Sequence, residues 1–164
     1  MEESERQLLV VQMETRSVEM WTRDGVLLRG DVFLRVPHVS TERGDRLRDM
    51  LSERAFLPLK TAEKLLFVNT DNIAWVRMDM LAGVDELDAE VEDDINSCTA
   101  VVIIDLGDGT KVEGMVRYSR PHTALRLGDY LDQLPPFVAL RGDDWLYLVN
   151  AAAMATVTPL EEKR

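Results

Sequence analysis

The sequence predicts a mainly β protein of the α+β class, built from two tandem five-stranded β-barrel-like repeats that each carry one short helix. The first observation is an internal duplication, because Asp24–Leu47 aligns without a gap with Asp108–Leu131. The second is the Asp-Gly dipeptide that begins both copies, since Asp-Gly between alternating apolar residues is the strongest short-range sign of a β-hairpin. The third is that the alignment resumes at Phe56 and Phe137, after three residues are missing from the second copy. Positions of the two copies are therefore equivalent at an offset of 84 before this gap and 81 after it.

The duplication also sets the predicted domain organisation. A unit of about 60 residues buries only about 60% of its unfolded surface and is marginally stable alone, so we expect the repeats to pack against each other, around a pseudo-two-fold axis. We predict an N-terminal extension, repeat 1, an acidic connector, repeat 2 and a disordered tail, at 1–15, 16–78, 79–98, 99–160 and 161–164.

Each repeat is predicted to contain two strands, a helix and three further strands. In repeat 1 alternating apolar residues and turn signals place these elements at 18–23, 26–36, 41–53, 55–59, 63–69 and 73–78. In repeat 2 they fall at 99–106, 111–118, 127–134, 137–140, 145–150 and 154–158. On the second strand the predicted core face carries Val26, Leu28, Gly30, Val32, Leu34 and Val36. A glycine on a core face, matched by Gly114, indicates a bend or the close approach of another backbone.

The connector holds most of the net charge of −11. Seven acidic residues and no basic one lie within Asp85–Asp94. Val84, Leu87 and Val91 have helical spacing, so an acidic amphipathic helix is one interpretation. A solvated linker is the interpretation we favour, because runs of like charge are usually exposed.

Composition excludes several classes of protein. No apolar run approaches the roughly 20 residues of a membrane helix, and no membrane association is expected. Cys98 is the single cysteine, so an internal disulfide framework is excluded. The N-terminal segment, MEESERQ, is acidic and lacks the basic start of a signal peptide. We therefore expect a cytoplasmic protein.

Two family resemblances follow from these motifs. The phrase Arg-Leu-x-Asp-x-Leu at 46–51, followed by Phe-x-Pro-Leu at 56–59, resembles an uncharacterised bacterial small β-domain, here duplicated in tandem. The Asp-Gly turn, the glycine within the second strand and the closing Ile-Ala-Trp-Val strand at 73–76 also resemble, more weakly, Sm-like and SH3-like small β-barrels. The first resemblance implies a fold and no activity, whereas the Sm-like one implies RNA binding.

The sequence offers no catalytic constellation. It contains no phosphate-binding glycine loop, no Gly-x-Ser-x-Gly, no His-Glu-x-x-His and no Cys/His pair at metal spacing. His38 and His122 are equivalent, and a two-fold packing would bring them together, but two imidazoles need further ligands to hold a metal. We assign no catalytic, cofactor-binding or metal-binding residue, we expect no cofactor, and we do not predict an enzyme.

The predicted interaction surface combines a basic helix face with two outward aromatic side chains. Its members are Arg43, Arg46, Arg48, Arg54, Trp21 and Phe33. Acidic residues interleave with the arginines, which is typical of charge pairing on a solvated helix face rather than of a nucleic-acid stripe. The tryptophan and the phenylalanine face away from the main apolar stripes of their strands, so we expect them to be buried between the repeats or to contact a partner.

These observations predict a non-catalytic protein-interaction module, a bacterial scaffold or regulatory adaptor with an unidentified protein partner. An Sm-like nucleic-acid-binding protein is the alternative, although nucleic acid is disfavoured. A metal-dependent enzyme that uses the two histidines is the third interpretation. A homodimer is a further arrangement that a duplicated β-domain allows.

Overall fold

The computed structural model describes residues 13–35, 44–87, 97–119 and 127–163. In these ranges repeat 1 contains β1 (Met13–Thr22), β2 (Leu27–Arg35), α1 (Leu47–Glu53), β3 (Phe56–Lys60), β4 (Leu65–Asn69) and β5 (Ile73–Asp79). Repeat 2 contains β6 (Ser97–Asp105), β7 (Lys111–Ser119), α2 (Leu127–Leu131), β8 (Phe137–Arg141), β9 (Trp145–Asn150) and β10 (Thr156–Lys163). Single 3₁₀ turns occupy Thr70–Asn72, Val84–Glu86 and Ala151–Ala153. The predicted mainly β class is confirmed, and both halves follow the predicted order of elements.

The described strands form one open antiparallel sheet. Its order is β10-β6-β7-β8-β9-β5-β1-β2-β3-β4, so β10 and β4 are the two edges. The repeats meet at a seam where β5 pairs with β9, from Trp75 opposite Val149 to Asp79 opposite Trp145. β9 is the equivalent of β4, so the seam joins non-equivalent strands and the repeats follow each other head to tail. A two-fold axis through the seam would pair equivalent strands, and the seam does not. The sheet is also open. The predicted pair of barrels around a pseudo-two-fold axis is therefore not shown.

Two apolar clusters stabilise the sheet. Each lies mainly in one repeat and also contains residues of the other repeat. Cluster 1 consists mainly of repeat 1 residues and also contains Phe137, Leu146 and Leu148 of repeat 2. Cluster 2 consists mainly of repeat 2 residues and also contains Ala74 and Trp75 of repeat 1. Since successive side chains of a strand point to opposite faces, β5 and β9 supply both clusters. The repeats therefore pack against each other through a shared core.

The glycines of the duplicated motif have two different physical roles. Gly25 and Gly109 have φ values of +89° and +90° in the hairpin turns, a conformation that glycine adopts without strain. At Gly30 a Cβ atom would lie 2.5 Å from the carbonyl oxygen of Lys60, and at Gly114 it would lie 3.0 Å from that of Arg141. β3 therefore approaches the β2 backbone closely, and β8 does the same to β7, as the glycine on the core face predicted.

The predicted core face of β2 is correct at its centre and wrong at its start. Val32 and Leu34 are fully buried, and Leu28 packs against cluster 1. Val26 is 48% exposed, because it lies in the hairpin loop before β2 begins at Leu27. Val36 lies outside the described residues.

Candidate interaction surface

An apolar patch lies at the β4 edge of the sheet, on the outer face of β3 and β4. Phe56 pairs with Asn69, Pro58 with Phe67 and Lys60 with Leu65, so these six residues share one face. Three of their side chains are more than half exposed: Phe56 at 55%, Leu65 at 52% and Phe67 at 65%. The opposite face is buried in cluster 1 through Leu57, Leu59 and Val68. We call Phe56, Pro58, Leu65 and Phe67 the apolar patch.

The equivalent surface of repeat 2 is buried at three of its four positions, and the fourth, Ala139 in place of Pro58, is partly buried. Phe137, Leu146 and Leu148 take the places of Phe56, Leu65 and Phe67, and they are 3%, 0% and 0% exposed. They are buried because they belong to cluster 1, where α1 of repeat 1 contacts β8 and β5 pairs with β9. One surface therefore occurs twice, as a buried contact at the seam and as an open patch at the edge.

The sequence analysis assigned strands from alternating apolar residues and did not predict the apolar patch. β4 contains the uninterrupted apolar run Leu65, Leu66, Phe67 and Val68, and β9 carries a similar run from Trp145 to Val149. A strand that is apolar on both faces is typically buried on both faces. The uninterrupted apolar run is present in both repeats, and it predicts that both faces of β4 and of β9 are buried against other residues.

The predicted basic helix face does not form a stripe. Arg46 donates from Nε to Asp49 Oδ2 at 2.9 Å, and its side chain is only 17% exposed. Arg54 is exposed at the end of α1, and Arg43 lies outside the described residues. Arg48 is half-buried, and the charge pairing predicted for this helix is confirmed for Arg46.

Arg46 and Arg48 border a cavity between the repeats, with a volume of about 350 Å³. Tyr130 and Phe137 of repeat 2 line the opposite side. Tyr130 stacks on Tyr118 with 4.8 Å between ring centroids. Burial raises the pKa of Tyr130 above its usual value, and the charge of Arg48 acts in the opposite direction. These arginines thus face the second repeat rather than open solvent.

Trp21 contributes to the seam. Its ring lies 5.8 Å from that of Trp75, and Trp75 lies 5.9 Å from Tyr147 of repeat 2. Trp21 is half-buried and packs against cluster 2, which contains residues of both repeats. Aromatic pairs at these distances add to the apolar burial of the seam.

Phe33 lines a groove of about 690 Å³ on the outer face of repeat 1. The groove ends at Trp145, where the guanidinium of Arg77 lies 4.2 Å above the ring. Arg77 also donates to Glu19 at 3.0 Å, and Glu19 lies 3.9 Å from Arg29. The two arginines of this groove therefore already have an acidic neighbour.

The beginning of the acidic connector is not the solvated linker that we favoured. Glu86, in the turn Val84–Glu86, is fully buried. Its carboxylate accepts hydrogen bonds from the backbone N–H groups of Leu47 and Arg48, and it pairs with Arg16. Burial raises the pKa of Glu86, whereas these backbone donors and the charge of Arg16 act to lower it. The remaining acidic residues, at 88–96, lie outside the described residues.

His38 and His122 also lie outside the described residues, so nothing tests whether they meet. Among the residues that the structure describes, no group of three or more His, Cys, Asp or Glu side chains is placed to hold a metal ion. In the same part of the chain, no helix has the length and apolar character needed to cross a membrane. Cys98 is buried.

Comparisons of the chain with models of known families, with curated proteins and with solved structures find no match.

Proposed function

We propose that this chain is a non-catalytic protein-interaction module whose binding surface is the apolar patch. The observation that carries the proposal is the contrast between Phe67, which is 65% exposed, and its buried equivalent Leu148. Exposed contiguous apolar surface marks an association site in soluble proteins. β4 is also an edge strand, and an edge offers unpaired backbone groups to an added strand.

The fold suits a scaffold or adaptor. Joining two five-stranded units head to tail in one open sheet leaves two different edges, β4 and β10. A bacterial cytoplasmic setting is part of the proposal, and the single cysteine supports it.

Nucleic-acid binding is the alternative function, and one feature favours it. Arg77 and Trp145 form a cation–aromatic pair at the end of the outer groove, and single-stranded nucleic acids bind to such combinations of charge and stacking. Glu19 weakens this alternative, because it neutralises Arg77.

The test is capture of partners from the native lysate by the tagged chain, at about 150 mM salt, with and without nuclease. The bait is wild type, Phe67→Glu or Leu81→Glu, and it replaces the native copy, so every copy of the chain in the lysate carries the same substitution. Leu81 is 87% exposed and lies outside the apolar patch, so its variant controls for adding a charge at an exposed apolar position. The proposal expects a protein that wild type and Leu81→Glu retain and that Phe67→Glu loses.

Two results would contradict the proposal. One is a protein retained equally by all three baits, which would place the binding surface elsewhere. The other is a nucleic acid as the only retained molecule, lost when nuclease is added, which supports the alternative function.

A further inference from the structure

We infer that the occupant of the apolar patch is a second copy of this chain, docked head to tail so that β4 of one copy pairs with β10 of the next. This inference rests on the proposed function, because it uses the same surface. β4 and β10 are the two edges of the sheet, and they are the equivalents of β9 and β5. Since β9 and β5 already pair at the seam, the chain contains a template for the contact between copies.

The β4 side of this contact carries equivalents of the residues that make the β9 side of the seam. At the seam Asn150 donates from Nδ2 to the carbonyl oxygen of Ile73 at 2.9 Å. Asn69 is the equivalent of Asn150, and each accepts a hydrogen bond at 3.0 Å from the backbone N–H two residues ahead. Asn69 is exposed, and in a head-to-tail contact it would meet the carbonyl oxygen of Met154, the equivalent of Ile73. The polar contact of the seam is therefore available at the edge as well.

On the β10 side of this contact, side chains are partly exposed whose equivalents at the seam are fully buried. In repeat 1 Leu47, Ile73 and Val76 are fully buried in cluster 1. The same cluster contains Phe137, Leu146 and Leu148 of repeat 2. Their equivalents in repeat 2 are Leu131, Met154 and Val157, and these side chains are only partly buried against cluster 2. A second copy would cover them as β8 and β9 cover repeat 1. Both halves of the proposed contact thus expose apolar side chains that their equivalents bury.

Two features weaken the contact between copies relative to the seam. Pro159 stands on β10 where Met78 stands on β5, and proline has no N–H group to donate to a neighbouring strand. Each copy also carries a net charge of −11, so copies repel each other. Salt screens this repulsion, so added salt should strengthen the association. Binding of nucleic acid would show the opposite dependence.

The contact is heterologous, because different strands of the two copies meet, and such contacts continue from copy to copy. Blocking either side therefore has a distinctive result. Phe67→Glu removes the β4 side and keeps β10, whereas Val157→Glu removes the β10 side and keeps β4. A mixture of the two variants can form one contact and no more, since each partner has one competent side.

The experiment is sedimentation equilibrium of the purified full chain over a range of concentrations. We expect the mass of wild type and of Leu81→Glu to rise above the 18.6 kDa of the monomer, and to rise further with added salt. We expect Phe67→Glu alone and Val157→Glu alone to stay monomeric. We expect their equimolar mixture to form a dimer with one copy of each variant.

Val157 is partly buried, so circular dichroism must first show that its variant is folded. If Val157→Glu is not folded, Met154→Glu, which lies on the same side of the contact, is used in its place. A wild-type chain that stays at 18.6 kDa at every concentration and salt level overturns the inference. So does a folded β10-side variant that assembles as wild type does, because the patch would then pair with another patch. A monomeric wild type leaves the proposed function intact, since the lysate experiment with Phe67→Glu tests that function separately.

Discussion

Arg16 and Glu86 form a buried ion pair, with 3.1 Å between Nη1 and Oε1 and with side chains that are 6% and 0% exposed. Arg16 belongs to β1 and also contacts Asp85 at 2.9 Å. Glu86 accepts hydrogen bonds from the backbone at the start of α1. The pair therefore ties together the first strand, the first helix and the beginning of the acidic connector.

Removing the Glu86 carboxylate should destabilise the protein strongly. Glu86→Ala leaves Arg16 without its most buried partner and removes the acceptor of two backbone N–H groups. Breaking a buried pair in this way costs about 3–5 kcal/mol of unfolding free energy. Urea unfolding measures the loss. The control is Asp85→Ala, because Asp85 is 51% exposed and should cost less than about 1 kcal/mol. Equal losses for the two variants would contradict the buried position of Glu86.

The raised pKa of Glu86 predicts a pH dependence of stability. A carboxyl group whose pKa is raised by folding contributes stability below its usual pKa of 4.5, and this contribution is lost as the pH rises through the folded value. Glu86→Gln cannot titrate. The unfolding free energy of wild type minus that of Glu86→Gln should therefore fall as the pH increases from 4.5 towards neutrality. Asp24 and Asp108, whose pKa values are lowered by hydrogen bonds, are present in both proteins, so their effects cancel. A difference that rises with pH would mean that pairing, rather than burial, dominates.

Gly30→Ala should destabilise the protein because the added Cβ meets the Lys60 carbonyl oxygen at 2.5 Å. Overpacking against a backbone atom costs about 1–3 kcal/mol. Gly128→Ala is the matched control, since Gly128 lies in α2 with nothing within 4 Å of an added Cβ. There alanine should be neutral or favour the helix by up to about 1 kcal/mol. Thermal unfolding of both variants measures the effect, and a neutral Gly30→Ala would contradict the close approach of β3.

Asn150→Ala should cost more stability than Asn69→Ala, although the two asparagines are equivalent. Both substitutions remove an acceptor in a 3₁₀ turn, but only Asn150 also donates to the Ile73 carbonyl across the seam. Asn150 is 6% exposed, so the unpaired carbonyl adds about 1–3 kcal/mol to the cost. Urea unfolding of dilute protein, where copies do not associate, measures the difference. A cost for Asn69→Ala equal to that for Asn150→Ala would contradict the seam contact.

The local fold was predictable from the sequence because its determinants are local. The Asp-Gly turns need positive φ at Gly25 and Gly109, and these turns fix the two long hairpins. Gly30 and Gly114 signalled a close backbone, and the structure places β3 and β8 there. The order of strands and helix in each repeat followed from these signals and from apolar periodicity.

The arrangement of the repeats and the candidate site were not predictable from the same signals. An alternating pattern does not say which edge of one repeat meets which edge of the other, so the seam between β5 and β9 escaped prediction. Glu86 looks like one member of an acidic run, and only the fold brings it to Arg16, 70 residues away. Phe67 and Leu148 carry similar apolar side chains, and their different exposure depends entirely on what covers each strand.

The most direct test of the apolar patch as an association surface is backbone amide exchange of β4 (Leu65–Asn69) and β9 (Trp145–Asn150), measured at low and high protein concentration. In dilute solution β4 should exchange faster than β9, because β4 is an edge and β9 is paired on both sides. At high concentration the account predicts that β4 becomes protected while β9 is unchanged, and that Phe67→Glu abolishes the gain. Exchange of β4 that stays fast at every concentration would contradict association through this edge.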